Sequence, residues 1–338
     1  MIILINKIYA KLKNFILNNF KFLIGILVIV FLFTYELPFV VYTPGGIVPL
    51  EKRIKIENTS STIGSFNMSY VSLRKGTIPV VLLSFIIPNW DLLKESDITS
   101  NEDSVDDLLK KEKLYMQSSL DNATILAYQK SGSKLTITEN INTITYIDEK
   151  ADTDLKLYDE ILKADNQKIE NIEELRTIIN SKKDQETIKI TVLRNGKEKE
   201  CVAKIYQEKD SLRIGIAFLT TYKYTTDPKI TIKTKNSESG SSGGLMLTLA
   251  IYNELTESDL THGQKIVGTG TIDINGNVGA IDGVKYKMLG ASKNKADIFI
   301  CPLENYEEVV KIKEKYNLKM EVKGVSTFDE ALEFLENI

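Results

Sequence analysis

Apolar and polar positions alternate in different ways along the chain, and each pattern predicts a different element. From Phe22 to Tyr42 the residues are almost continuously apolar, with Glu36 the only charge. About 20 such residues cross a hydrocarbon core as a helix, so residues 22–42 are predicted to be a transmembrane helix, closed by a turn at Thr43-Pro44-Gly45-Gly46. Arg53–Glu57, Ser65–Leu73 and Thr77–Ile86 read as strands, the last the hairpin partner of the second across Arg74-Lys75-Gly76. Residues 91–104 are polar and acidic and read as a loop. Helical spacing runs from Val105 to about Lys130, with Leu108, Leu109, Leu114, Met116, Leu120, Ile125 and Leu126 on the apolar stripe. A strand at Thr143–Ile147, a helix near Ile172–Ile179 and strands at Thr187–Arg194 and Lys197–Ile205 follow. Asn195-Gly196 between the last two marks a tight hairpin. Lys229–Lys235 alternates as a half-buried strand, and Leu245–Tyr252 is apolar enough for a buried helix. Ser326-Thr327-Phe328-Asp329 caps a C-terminal helix from Glu330. The fold class is α+β.

Charge gives this pattern a direction. Residues 1–21 carry Lys7, Lys11, Lys13 and Lys21 and no acidic residue. Basic residues before an apolar span place the N-terminus in the cytoplasm and the remainder outside. No small-x-small site follows the span, so an uncleaved anchor is expected rather than a signal peptide. The net charge of −3 over 338 residues offers no electrostatic case for nucleic acid. The two cysteines, Cys201 and Cys301, lack metal-ligand spacing and read as small buried residues; no metal is expected. No Gly-x-x-x-x-Gly-Lys-Ser/Thr stretch occurs, so no nucleotide-driven motor is expected, and no cofactor is implied.

The chemistry gathers around Ser239-Gly240-Ser241-Ser242-Gly243-Gly244, between the strand and the buried helix. Glycines allow the sharp turn, and the unpaired N–H groups of a helix start favour developing negative charge beside a serine hydroxyl. A flexible linker is the other reading of such a sequence. A nucleophilic serine needs a base. The single histidine, His262, lies in a glycine-containing connection and reads as a solvated loop residue. A desolvated lysine is the alternative. In Ala280–Ala291, at ~100° per residue, Lys287 shares a stripe with Val284, Met288 and Ala291, while Lys285 falls toward Ser292.

Four segments then resemble those of Lon-type peptidases, in the same order. Gly240-Ser241-Ser242-Gly243-Gly244 is similar to their Gly-Pro-Ser-Ala-Gly box, and Gly268–Val278 to their Thr-Gly-Glu-Ile strand and hairpin. Asp282-Gly283-Val284-Lys285-Tyr286-Lys287 is similar to their Gly-Gly-Ile/Leu-Lys-x-Lys helix start, and Ile300–Asn305 to their Ile-Pro-x-x-Asn segment. The resemblance implies Ser242 as nucleophile, Lys287 as general base and Thr269 as the residue that orients the lysine, with backbone N–H groups around Gly240, Ser241 and Ser242 holding the oxyanion. Ser241, Gly243 and Asp282 depart from the pattern, and Asp282 would raise the pKa of a nearby lysine. Residues 134–206 resemble the second half of a PDZ domain, with Tyr158 where Leu-x-x-Gly-Asp has its glycine.

The implied organisation is a cytoplasmic basic segment (1–21), an anchor (22–42), a connecting region (43–119), a PDZ-like domain (120–206) and a Lon-like proteolytic domain (207–338). The order resembles membrane-anchored, ATP-independent PDZ/Lon-like peptidases of the bacterial cytoplasmic membrane. It implies a serine endopeptidase outside that membrane, acting on unfolded or extended protein or peptide substrates presented by the PDZ-like groove, and leaves homo-oligomerisation open. A second reading keeps the PDZ-like part as a binding scaffold with an inactive protease domain.

Overall fold

The computed structural model describes residues 2–57, 64–99 and 105–338, which form two compact units: residues 1–45 with 71–105, and residues 46–70 with 106–338.

In the first unit the apolar N-terminus is not one long helix. Helix α1 (Ile2–Asn18) and helix α2 (Phe20–Thr34) meet at a 77° bend around Asn19. A 15-residue helix rises only about 22 Å, short of the ~30 Å hydrocarbon core. Among the described residues no single helix is long and apolar enough to cross a membrane, although the bent pair passes that test together. The predicted helix over 22–42 is therefore corrected. Beyond Thr34 the chain becomes a strand, Glu36–Pro49, which also runs through the turn predicted at residues 43–46. Pro38 withholds the amide a helix would need, and Phe39-Val40-Val41-Tyr42 are β-branched or aromatic. Phe39–Tyr42 pair antiparallel with Asp91–Lys94, a short strand inside the expected loop; residues 100–104 of that loop lie outside the described residues. The predicted hairpin partner Thr77–Ile86 is instead a strand end followed by helix α3 (Ile78–Ser84). Pro79 sits in its first turn, where a missing N–H is harmless and a fixed φ helps.

In the second unit helix α4 (Val105–Ser131) forms as its spacing predicts. After it comes an antiparallel sheet with strand order 216–227, 134–147, 160–164, 187–194, 197–204. Helix α5 (Ile172–Asn180) buries Leu175, Ile178 and Ile179 in its core, and the Asn171 side chain caps it by accepting the Glu174 amide at 3.0 Å. Asn195 and Gly196 take φ of 52° and 74° in the predicted hairpin. Tyr158 also has positive φ, 70°, so a side chain occupies a conformation that glycine adopts freely. Asp159, fully buried, is held by Arg194 through two bonds of 2.7 and 2.6 Å. Cys201 is buried in this core.

The rest of the unit is layered. Lys265–Gly268 lies between Ser65–Met68 and Ile298–Pro302, parallel to both, and Glu321–Val325 extends the parallel set. Because side chains alternate across a strand, the two faces receive different helices. Ile266, Ile298 and Ile300 pack under helix α6 (Gly244–Thr256) and helix α9 (Phe328–Glu336). Val267, Phe299 and Cys301 pack under helix α7 (Val284–Lys293) and helix α8 (Tyr306–Lys315). Helices on both faces of a parallel sheet place ligand sites beyond the carboxyl ends of the strands. Thr269 follows directly on the end of the central strand.

Candidate active site

Three segments converge at that strand end. The Ser-Gly turn leads into the N-terminus of α6, an almost wholly buried helix. Thr269 is fully buried after Gly268, its amide bonded to the Ile300 carbonyl at 3.0 Å. Lys287 lies one turn into α7, on the stripe with Val284, Met288 and Ala291, and only 4% of it is exposed. Lys285, two residues away, is half-buried near the Tyr286 ring.

Hydrogen bonds join the three. The Lys287 Nζ donates to Thr269 Oγ1 at 3.1 Å, and the Thr269 hydroxyl donates to the main-chain oxygen of Ser242 at 3.0 Å. The Gly270 amide donates to the same Ser242 oxygen at 2.8 Å. The lysine is thus tied, through one threonine, to the backbone of the serine. Burial lowers the Lys287 pKa from 10.5 to about 8 against the opposing pull of Asp282 and Glu112. Asp282 does act in the direction its sequence position suggests, but desolvation outweighs it. A lysine in this state is substantially neutral at mildly alkaline pH and can accept a proton. Asn305 braces the start of the lysine segment, accepting the Ile281 amide at 2.9 Å and donating to the Ile281 carbonyl at 3.0 Å.

Helix α4 supplies contacts that no local motif announces. Ser119 donates to the Ser241 carbonyl at 2.8 Å, and Asn122 to the Ile272 carbonyl at 3.1 Å. A Cβ on Gly244 would stand 2.6 Å from the Ser119 Oγ and 2.8 Å from Ile272 Cγ2, so only glycine lets α6 begin this close to α4. The Gly240 amide donates to the Glu112 carbonyl at 2.9 Å. That removes Gly240 from the amides expected to hold an oxyanion and leaves those of Ser241 and Ser242 as candidates, with Gly243 completing the turn before α6. Gly240 keeps a structural reason of its own in its φ of 92°. Glu112 also brings a carboxyl to the site. Burial pushes its pKa up, Asp282 adds to this, and Lys111 and Lys287 oppose it. A neighbouring face of α4 grips the edge strand of the antiparallel sheet. Ser118 donates to the Thr220 carbonyl at 2.9 Å, and the buried Asp121 accepts the Tyr222 amide at 2.9 Å.

His262 is placed elsewhere in the hydrogen-bond network, its Nε2 3.0 Å from the Leu335 carbonyl in α9. No group of three or more metal-ligating side chains occurs among the described residues.

The bond between Lys287 and Thr269 makes a graded prediction. Thr269→Val keeps the shape but cannot receive the lysine or reach the Ser242 carbonyl, and should lower kcat about 10- to 100-fold with KM little changed. Thr269→Ser should retain most activity, and steady-state kinetics on both variants checks this.

Comparison with known proteins places names beside this geometry. Residues 230–336 match the family profile of the Lon protease (S16) C-terminal proteolytic domain, and residues 135–205 match that of a PDZ domain. A Lon protease of Clostridioides difficile is 30% identical over 137 residues, 37% of this chain and 17% of that protein. One from Mesomycoplasma hyopneumoniae is 31% identical over 96 residues, 28% of this chain and 11% of that protein. The chain therefore spans only 11 to 17% of the length of these two relatives. The PDZ domain of an SdrC-like protein from Listeria monocytogenes is 23% identical, with a TM-score of 0.23 over 25% of this chain and 93% of that one. Residues 230–336 thus match a Lon proteolytic domain and residues 135–205 a PDZ domain, and the Lon matches support a serine peptidase.

Proposed function

We propose that the protein is an ATP-independent serine endopeptidase that uses Ser242 as nucleophile and Lys287 as general base. The observation that carries this reading is the buried Lys287, its pKa lowered to about 8 and its amine held by Thr269, which also holds the backbone of Ser242. The Ser242 hydroxyl gives its proton to neutral Lys287 as the oxygen attacks the scissile carbonyl. The carbonyl oxygen becomes an oxyanion, stabilised by the amides of Ser241 and Ser242 at the start of α6. Lys287, now protonated, gives the proton to the leaving amine, and an acyl-enzyme on Ser242 remains. Water attacks that ester with Lys287 again as base, and the second product leaves as a carboxylic acid.

The PDZ domain supports a peptide-binding role, since such domains take an extended segment as an added strand. Strand 216–227 lies at one end of its sheet, and Ser118 and Asp121 of α4 occupy its outer edge at Thr220 and Tyr222. A bound segment would therefore pair along the earlier part of that strand. Substrates are proposed to be unfolded or extended segments, because no Gly-x-x-x-x-Gly-Lys-Ser/Thr nucleotide loop is present in this chain to power unfolding. The bent α1–α2 pair is proposed as the membrane attachment, with the peptidase outside the cytoplasmic membrane.

A fluorophosphonate probe tests the dyad without knowledge of the substrate. Labelling should map to Ser242 and be lost in Lys287→Met. A folded protein that leaves Ser242 unlabelled at pH 8 to 9 would point instead to a binding scaffold with an inert protease domain.

A further inference from the structure

The segment that joins strand Ser65–Thr77 to strand Asp91–Lys94 is apolar where a soluble surface would be polar. No charged residue occurs from Gly76 to Trp90. At its tip Leu82, Leu83, Phe85 and Ile86 are 59, 41, 74 and 75% exposed. Adjacent exposed apolar side chains of this size mark a contact surface. We propose that α3 and the turn after it, residues 78–88, are a second lipid-contacting element that enters the bilayer beside α2; this rests on the membrane attachment proposed above.

Three features favour lipid over a protein partner. The helix against which α3 packs is α2, apolar from Phe22 to Phe33 and without one buried residue. A surface shared with such a helix faces the same medium. The tip also lacks the polar rim and hydrogen-bonding groups that surround a protein interface; between Thr77 and Trp90 the polar side chains are Ser84 and Asn89, and the Ser84 hydroxyl bonds back to the Val81 carbonyl at 2.7 Å. At the base the composition changes abruptly. The Arg74 guanidinium lies 5.3 Å from the centre of the Trp90 ring, and Lys75 pairs with Glu36 at 3.1 Å. Tryptophan and basic residues are the side chains that settle at the headgroup level. The basic helix α1 has the composition of an in-plane element: Ile5, Ile8, Leu12, Phe15 and Ile16 recur at helical spacing, while Lys7 and Lys11 lie one turn apart on another side. A 15-residue α2 that cannot cross alone gains apolar contact from α3 at its side.

Trp90 is the only tryptophan and reports directly on this segment. The full chain would be reconstituted into phosphatidylcholine–phosphatidylglycerol vesicles, with and without bromine on the upper acyl chain, and tested for flotation and tryptophan emission. The expected result is co-flotation with roughly a halving of Trp90 emission by the brominated lipid. In the double variant Phe85→Ser, Ile86→Ser, whose side chains are exposed, flotation should persist and the quenching should fall away. Flotation with unquenched Trp90, or quenching undiminished in the double variant, would overturn the inference while leaving the attachment by α1 and α2 standing. Absence of flotation would overturn both.

Discussion

Replacing Lys287 by methionine should abolish peptidase activity and make the protein more stable. The first half follows from the loss of the amine bonded to the Thr269 bridge; removing one member of a catalytic unit costs about 10⁴-fold or more. The second half follows from burial. A lysine whose pKa falls from 10.5 to about 8 on folding carries about 3 kcal/mol of penalty for its protonated form at neutral pH. Methionine fills similar space without that charge, and forfeits about 1 kcal/mol with the bond to Thr269. The net gain should be about 2 kcal/mol, a rise of roughly 4 to 8 °C in Tm. The sign can be checked by pH. Between about 8 and 10.5 the unfolded chain binds the proton and the folded one does not, so wild-type stability climbs across that window. The advantage of the methionine variant should be full below pH 8, vanish between about pH 9 and 10, and turn into a deficit of about 1 kcal/mol above 10.5, where only the lost bond remains. Thermal melts of both proteins at pH 7 and pH 10 measure it, and equal Tm at pH 7 would contradict the assigned burial cost.

The pH dependence of catalysis should follow the same group. With Lys287 required neutral, kcat/KM should rise about tenfold per pH unit below about 8 and level above it. From pH 6 to pH 8 the change should be about 50-fold. Asp282 and Glu112 both raise the lysine pKa, Asp282 more strongly. Asp282→Asn should therefore shift the limb to lower pH, and Glu112→Gln should do so to a smaller degree. A shift to higher pH in Asp282→Asn would show that the carboxylate acts by some route other than its charge.

The order of the site was legible because its parts are local. Ser242 sits in a glycine turn before an apolar run and Lys287 on an apolar helix face, both announced locally, whereas Thr269 was named only through the resemblance to the Lon-type segment. The contributions of Glu112 and Ser119 were not legible, since they reach the serine turn from more than a hundred residues earlier, on a helix whose spacing shows only a buried stripe. The amide of Gly240 belongs with these: its engagement by Glu112 is a tertiary fact. The errors in the fold have one physical origin. An apolar run says that a segment avoids water without saying in what form. Glu36–Tyr42 continues the hydropathy of α2 but is a strand, and Thr77–Ile86 reads as a strand but is chiefly the helix Ile78–Ser84, with Pro79 in its first turn. The PDZ hairpin at Asn195-Gly196 and α4 were readable because turn chemistry or periodicity specified them, while the buried α6 was read from its apolar run after the glycine turn.

The most direct measurement is cleavage of an unstructured protein by the full chain in detergent or vesicles, without nucleotide, at pH 8.5. Wild type, Ser242→Ala, Lys287→Met and Lys285→Met would be compared side by side. The account predicts hydrolysis by wild type and by Lys285→Met, and a loss of at least about 10⁴-fold in the other two. Hydrolysis that survives in Ser242→Ala at the wild-type rate would contradict it.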